Sequence, residues 1–116
     1  MTATPEVDVG QVFIALADPT RRQLLETLGR GRCASASSLA AELPVSRQAV
    51  MKHLALLERS KLVSSNRSGR EVLFTVRPET LAIAGSWMTE LALTWRVGLQ
   101  VLKQVAESAP VSKLER

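Results

Sequence analysis

Two stretches with the apolar spacing of helices are separated by only three residues, and this short interval restricts the possible folds more than any other feature. The first stretch ends at Leu43, because the residue before a proline disfavours helical backbone and Pro44 follows. The second begins after Ser46, whose hydroxyl can accept a hydrogen bond from the first turn of a helix. Its inward-facing residues recur every three or four positions: Val50, Leu54 and Leu57. The chain is therefore predicted to contain two helices joined by a very tight turn.

Two more helices are predicted before this pair. The first covers about residues 9–17, where apolar side chains recur at helical spacing. The next begins at Asp18-Pro19, since Asp can accept hydrogen bonds from a first turn and proline suits the first helical position. We expect Gly29 to end this helix with a left-handed backbone and Ser35 to cap the short helix that follows. Residues 1–8 have no apolar period, which predicts a flexible N-terminal arm.

After the tight helix pair the apolar period changes from helical spacing to two. Between Val63 and Val76 this alternation predicts two short strands, and residues 67–70 are predicted to form the turn of a basic hairpin. Helical spacing returns over residues 79 to about 107, and the polar segment 108–116 is predicted to be a tail. The fold class is therefore mainly α with a small β-hairpin, in the order α-α-α-α-β-β-α, and one domain is predicted over residues 9–107.

The last helix carries two series of residues at intervals of seven, and seven of these eight residues are apolar: Leu81, Met88, Trp95 and Leu102, and Ala84, Leu91, Gly98 and Val105. A helix of this length in so small a domain exposes more apolar surface than the domain can cover. We therefore expect it to pack against a helix of a partner, such as a second copy of the chain.

The positive charge is concentrated in one part of the chain. Residues 44–70 contain six Lys or Arg and one Glu, a net +5, whereas the whole chain of 116 residues has +4 and the remainder therefore −1. A local basic field of this kind suits a polyanion such as DNA, RNA or an anionic membrane, and a solvated basic face is the alternative. RNA and single strands are disfavoured, because none of the four aromatic residues lies in this segment to stack on bases.

The composition argues against several other classes of protein. One His, one Cys and scattered carboxylates provide no nucleophile-base pair and no metal centre, so an enzyme and a cofactor are not expected. The single Cys33 cannot form an internal disulfide, and the first residues do not show a charged segment followed by an apolar run, so we do not expect secretion. The longest apolar run has six residues, whereas a membrane span needs about 20. We expect a cytoplasmic protein without a membrane partner.

The order of elements describes a winged helix-turn-helix, and several motifs resemble one family with this fold. The run Ala-Leu-Ala-Asp-Pro-Thr-Arg-Arg occupies residues 15–22, and Ser-Leu-Ala occupies residues 38–40. The run Val-Ser-Arg-Gln-Ala-Val-Met-Lys-His-Leu then occupies residues 45–54, and Leu62-Val63 and Gly69-Arg70 follow. Together these motifs resemble the ArsR/SmtB family of bacterial winged-helix repressors over about residues 9–78.

This resemblance implies a transcriptional regulator that acts as a repressor and binds, as a homodimer, an operator with two-fold symmetry. It further implies a dimer interface formed by the first and last helices. Within those helices the candidate interface residues are apolar or small: Val12, Phe13, Leu81, Ala84, Met88, Leu91, Trp95 and Leu102. A winged-helix module that docks onto another protein through its long helix is the alternative function.

The resemblance also bears on metal sensing. Known members bind metals through two cysteines in the helix before the turn, or through His and acidic ligands in the last helix. Here the corresponding short helix has no thiol and the long helix has neither His nor Cys. No metal site is therefore expected, and Trp87 and Trp95 in the last helix resemble the metal-independent branch of the family.

The candidate DNA-binding residues lie at the start of the second helix of the pair and on the hairpin: Ser46, Arg47, Gln48, Met51, Lys52, His53, Arg67 and Arg70. Arg47 can bind guanine and Gln48 can bind adenine through two hydrogen bonds each, although contact with phosphate or solvent alone is the alternative. Ser46 serves mainly as a cap, and Met51 stands where the family commonly has Ser. This Met can replace a hydroxyl contact with an apolar one to a thymine methyl.

The remaining candidates are expected to contact the DNA backbone. Lys52 points outward and is expected to meet a phosphate, with a solvated Lys as the alternative. His53 matches the histidine of the family's Lys-His-Leu run and binds either a phosphate or backbone group, or serves as a partly buried structural residue. Arg67 and Arg70 at the hairpin can enter a minor groove or meet phosphates, with a loop that touches nothing as the alternative.

Overall fold

The computed structural model describes residues 7–30 and 32–108. Within these residues it contains five helices and three strands. In chain order they are α1 (Val9–Leu16), α2 (Pro19–Leu28), β1 (Ala34–Ser35), α3 (Ala36–Glu42), α4 (Arg47–Arg59), β2 (Val63–Ser68), β3 (Glu71–Val76) and α5 (Pro78–Ser108). The chain divides after Ala84 into two units, the second of which begins at Gly85 within α5. The predicted winged helix-turn-helix order is confirmed.

The predicted helix caps are confirmed at α2, α3 and α4. Asp18 accepts a hydrogen bond from the backbone N–H of Arg21, and Ser35 and Ser46 accept from the third residue of their own helices. Each cap satisfies an N–H group that has no partner inside its helix.

The boundary of the N-terminal arm needs a correction. Asp8 caps α1 by accepting hydrogen bonds from the N–H groups of Gly10 and Gln11, and Val7 packs against the core. These two residues therefore belong to the folded unit, because one completes a helix and the other covers apolar surface. Residues 1–6 of the predicted arm and residues 109–116 of the predicted tail lie outside the described residues.

The expected left-handed end of α2 is wrong. Gly29 is the C-cap residue, but its φ of −68° is right-handed, and its N–H donates to the carbonyl of Leu25 at 2.7 Å. A Cβ at this position would lie 2.9 Å from the same carbonyl oxygen. The glycine is explained by this close backbone approach and not by a left-handed conformation.

The sheet has one more strand than predicted, in the order β1-β3-β2 with antiparallel pairing throughout. Strand β1 has only two residues, too few to show a period in the sequence. The hairpin turn is also shorter than predicted, because Ser68 pairs with Glu71 and only Gly69-Arg70 form the loop. Gly69 has a φ of +63°, a conformation that glycine adopts without steric cost.

The core of the first unit is formed by apolar side chains from all four short helices, the sheet and the first turns of α5. The predicted inward face of α4 is confirmed, since Val50, Leu54 and Leu57 are fully buried. Val12 and Ala84 are also buried, with exposed fractions of 0% and 1%. Their assignment to a dimer interface is therefore corrected: the core of a single copy already covers both side chains.

The second unit consists of α5 from Gly85 onward. Its apolar side chains are exposed over the whole described length: Trp87, Met88, Leu91, Leu93, Trp95, Val97, Leu99, Val101, Leu102 and Val105. Despite this apolar character, no helix in residues 7–30 and 32–108 is long and apolar enough to cross a membrane.

Candidate nucleic-acid interface

The first two turns of α4 present polar and basic side chains to solvent. Arg47, Gln48, Met51 and Lys52 are all exposed, on positions that alternate with the buried face of the helix. Ser46 precedes them and its Oγ accepts the N–H of Ala49 at 3.1 Å. A helix N-terminus that carries such side chains is the part of a helix-turn-helix that approaches base edges. The structure therefore groups five of the eight candidate residues on one exposed surface.

Arg47 is held in place by the neighbouring helix. Its Nε donates a hydrogen bond of 2.9 Å to Oγ of Ser37, which lies in the first turn of α3. The two terminal nitrogens of the guanidinium are not used by this bond. They remain in the paired arrangement that binds O6 and N7 of guanine.

A cleft of about 280 Å³ joins the start of α4 to the hairpin. Arg47 and Met51 line it from α4, and Arg70 lines it from the turn. Val72 and Phe74 contribute apolar surface from β3. The structure thus brings residues from the two predicted DNA-contacting elements to one place.

Arg67 lies outside this cleft. It is exposed on β2 opposite Val72, one residue away from the end of the strand, and is therefore not part of the turn. The hairpin is tied to the other end of α4, where Ser65 Oγ donates to Glu58 Oε2 at 2.7 Å. This bond uses the one acidic residue of the basic segment to connect the strand with the helix.

His53 lies beside the start of α2, and its side chain is 23% exposed. Its Nδ1 is 3.3 Å from Nη1 of Arg21 and 4.0 Å from Oδ2 of Asp18. These contacts are those of a partly buried structural histidine, the alternative that the sequence left open.

The backbone N–H of Arg21 lowers the pKa of Asp18 by hydrogen bonding to its carboxylate, and the nearby charges of His53 and Arg21 lower it further.

Arg21 and Arg22 lie near the N-terminus of α2, where a cation opposes the helix dipole. Their partners in the structure are carbonyl oxygens at the end of α1. Arg21 donates to Ala15 at 2.7 Å and to Ile14 at 3.2 Å, and Arg22 donates to Leu16 at 2.6 Å. A cation is favourable there, since the carbonyl end of a helix is the negative end of its dipole.

The structure adds residues that the sequence reasoning missed. Ser37, Glu58 and Ser65 hold predicted elements in position, but each acts on a residue at least seven positions away. No local pattern in the sequence marks such pairs.

No group of three or more His, Cys, Asp or Glu side chains is close enough to bind a metal ion anywhere in the described part of the chain.

Comparison with known proteins agrees with this architecture. A helix-turn-helix domain family matches residues 16–66. The HTH-type transcriptional regulator Rv2034 of Mycobacterium tuberculosis is 37% identical over 94 residues, covering 81% of this chain and 84% of that protein. A solved ArsR-like transcriptional regulator from Rhodococcus sp. RHA1 has a TM-score of 0.80 and 42% identity, covering 87% of this chain and 94% of that one. This chain belongs to the ArsR/SmtB family.

Family membership confirms the winged helix-turn-helix fold and identifies the chain as a DNA-binding transcriptional regulator and not an enzyme. A more distant relative is the transcriptional repressor SdpR of Bacillus subtilis. It is 29% identical over 80 residues, which cover 69% of this chain and 88% of that protein.

Proposed function

We propose that this regulator is a repressor that binds, as a homodimer, a two-fold symmetric operator through α4 and the β2-β3 hairpin. The observation that carries the proposal is the cleft at the start of α4, where Arg47 and Arg70 from two separate elements face the same space. Lys52 and Arg67 are exposed on those same two elements. One protomer thus offers four cations to a DNA backbone whose phosphates dominate binding affinity.

The apolar surface of α5 supports dimerisation. In the second unit Met88, Leu91, Trp95 and Leu102 are between 43 and 65% exposed. Such a continuous apolar series is rare on the surface of a monomer. Leu81 is exposed in the first unit, whereas Phe13 packs partly against the core, so the proposed interface relies mainly on α5.

The repressor role is supported by SdpR, which is named as a transcriptional repressor. We further propose that regulation does not use the metal sites known in the family. The chain has one Cys and one His in total, whereas a soft-metal site needs two to four such ligands.

The proposal is tested with the DNA upstream of the regulator's own gene. Fluorescence anisotropy should detect tight binding. The logarithm of the association constant should fall linearly with the logarithm of the salt concentration, with a slope of about 0.9 for each phosphate contact. Replacing Arg47 and Gln48 together by Ala should weaken binding to this DNA more than binding to an unrelated duplex.

Two results would contradict the proposal. One is the absence of binding at low salt. The other is a monomer in light scattering that gains mass only with another protein, which would favour the interaction-module alternative. Equal losses on both duplexes would reduce Arg47 and Gln48 to backbone contacts.

A further inference from the structure

The end of α4 has a backbone conformation that its sequence does not favour. Lys61 follows the last turn with a φ of +68°, and among the residues that the structure describes no other residue except glycine has a positive φ. Its N–H donates to the carbonyl of Glu58 at 3.0 Å, and the N–H of Leu62 donates to that of Leu57 at 2.9 Å. Glycine is the usual residue at such a helix end. A lysine adopts this conformation at a steric cost, so it persists only where the surrounding structure supports it.

The support comes from the first turn of α5. Oγ1 of Thr80 donates a hydrogen bond to the carbonyl oxygen of Lys61, which lies 19 positions earlier in the chain. The Thr80 side chain has an exposed fraction of 0%. A hydrogen bond from a fully buried hydroxyl is costly to lose, because water has no access to replace it. Thr80 therefore attaches the end of α4 to the start of α5.

The hairpin is connected to the same place. Arg77 lies between β3 and α5, and its N–H donates at 2.8 Å to the carbonyl of Leu62, the residue before β2. The N–H of Thr80 in turn donates to the carbonyl of Arg77 at 3.1 Å. Leu62 is fully buried. The end of α4, both ends of the hairpin and the start of α5 are thus joined by hydrogen bonds of Lys61, Leu62, Arg77 and Thr80.

This junction connects the two helices on which the proposed function depends. α4 carries the candidate base contacts in its first turns, and α5 continues from the junction as one helix to Ser108. A dimer that binds two half-sites must hold its two reading helices apart by about one turn of the duplex, 34–36 Å. The orientation of each α4 against the start of its own α5 is one determinant of that separation.

We propose that Thr80 is a positioning residue that determines the half-site spacing of the operator. By holding Lys61 in its left-handed conformation, Thr80 fixes the orientation of α4 against the first turn of α5. The inference rests on the proposed function, because it requires a homodimer and a two-fold symmetric operator. It goes beyond that function in assigning the choice of spacing to a fully buried residue that DNA does not reach.

Operators that differ only in spacing test this proposal. One base pair inserted between the half-sites moves one of them by about 3.4 Å and turns it by about 35°. We expect the wild type to prefer the native spacing over duplexes with one base pair added or removed. In Thr80→Val, which keeps the shape but lacks the hydroxyl, this preference should fall about fivefold, the factor that corresponds to one net hydrogen bond. Affinity for a duplex with a single half-site should stay that of the wild type.

Two further variants separate positioning from stability. Thr80→Ser keeps the hydroxyl and should keep the wild-type preference. Ser60→Ala is the matched control, because Ser60 is 4% exposed and its Oγ donates to Leu57 within the end of α4. It should lower the free energy of unfolding in urea, as Thr80→Val does, but it leaves the bond to α5 in place. Its spacing preference should therefore be that of the wild type.

A substitution at Lys61 tests whether Thr80 acts through this backbone. Glycine adopts a positive φ without steric cost, so Lys61→Gly combined with Thr80→Val should recover part of the spacing preference. Lys61→Gly alone is the reference, because it also removes a positive charge. The double variant should still show a weaker preference than this reference, since it lacks the Thr80 hydroxyl.

Several results would overturn the proposal. They are a wild-type spacing preference in Thr80→Val, an equal loss of preference in Ser60→Ala, and a loss of single half-site affinity in Thr80→Val as large as the loss on the operator. A double variant without any recovery would exclude the role of Lys61. If Thr80→Val did not fold, equal preferences of the double variant and Lys61→Gly would overturn the proposal instead. A wild type that binds no DNA, or binds all spacings equally, would contradict the proposed function itself.

Discussion

Replacing Ser37 by Ala should reduce the sequence selectivity of DNA binding and leave the fold intact. Ser37 holds Arg47 through one hydrogen bond of 2.9 Å, and both side chains are exposed. Ala has a higher helix propensity than Ser, so α3 should not be weakened. The variant therefore changes the orientation of Arg47 while the charge of Arg47 stays.

The magnitude follows from the exposure of this hydrogen bond. A typical net contribution is about 0.5–1.5 kcal/mol, and water competes for an exposed pair, so about 0.5–1 kcal/mol is appropriate here. Without this hydrogen bond Arg47 can adopt other rotamers. Holding it in the single geometry that binds a base then costs about this much binding free energy. The ratio of operator affinity to nonspecific affinity should therefore fall about two- to fivefold per half-site.

Competition anisotropy with operator and unrelated duplexes measures this ratio directly. Ser38→Ala is the control, because the hydroxyl of Ser38 bonds to Ser35 and not to Arg47. It should leave the ratio unchanged. An unaltered ratio in Ser37→Ala, or an equal loss of affinity for both duplexes, would refute the reasoning that Ser37 orients a base-reading arginine.

Three further outcomes are expected. Leu54→Ala should lower the free energy of unfolding in urea by about 2–5 kcal/mol, because Leu54 is fully buried, whereas Met51→Ala on the exposed face should change it by less than about 0.5 kcal/mol. The pKa of Asp18 is lowered in the folded state, so the stabilising effect of its carboxylate is complete above about pH 4 and is lost as pH falls through the folded pKa. The Asp18→Asn variant should therefore lose less stability between pH 5 and pH 2 than the wild type does. Equal losses would contradict this assignment. Trp95→Glu should convert the proposed dimer to monomers in sedimentation experiments, because it places a charge in the exposed apolar series, and an unchanged mass would exclude this part of α5 from the interface.

Features governed by neighbours along the chain were predictable. Asp18, Ser35 and Ser46 were identified as caps, because an N-cap interacts with a backbone group only a few residues ahead. The buried face of α4 followed from helical spacing in the same way. The family motifs extended these local predictions to the winged helix-turn-helix fold.

Features governed by residues far apart in the chain were not predictable. Strand β1 exists because β3 pairs with it, and Val12 and Ala84 are buried because the core closes over them. The partner of Arg47 is ten residues away and that of His53 is 32 residues away. Side-chain patterns record which face of an element is apolar, but the angle at which elements pack decides which polar groups meet. For this regulator the element types and basic surface are therefore properties of the amino-acid order, whereas the orientation of Arg47 and the contact between His53 and Arg21 arise only when the helices pack together.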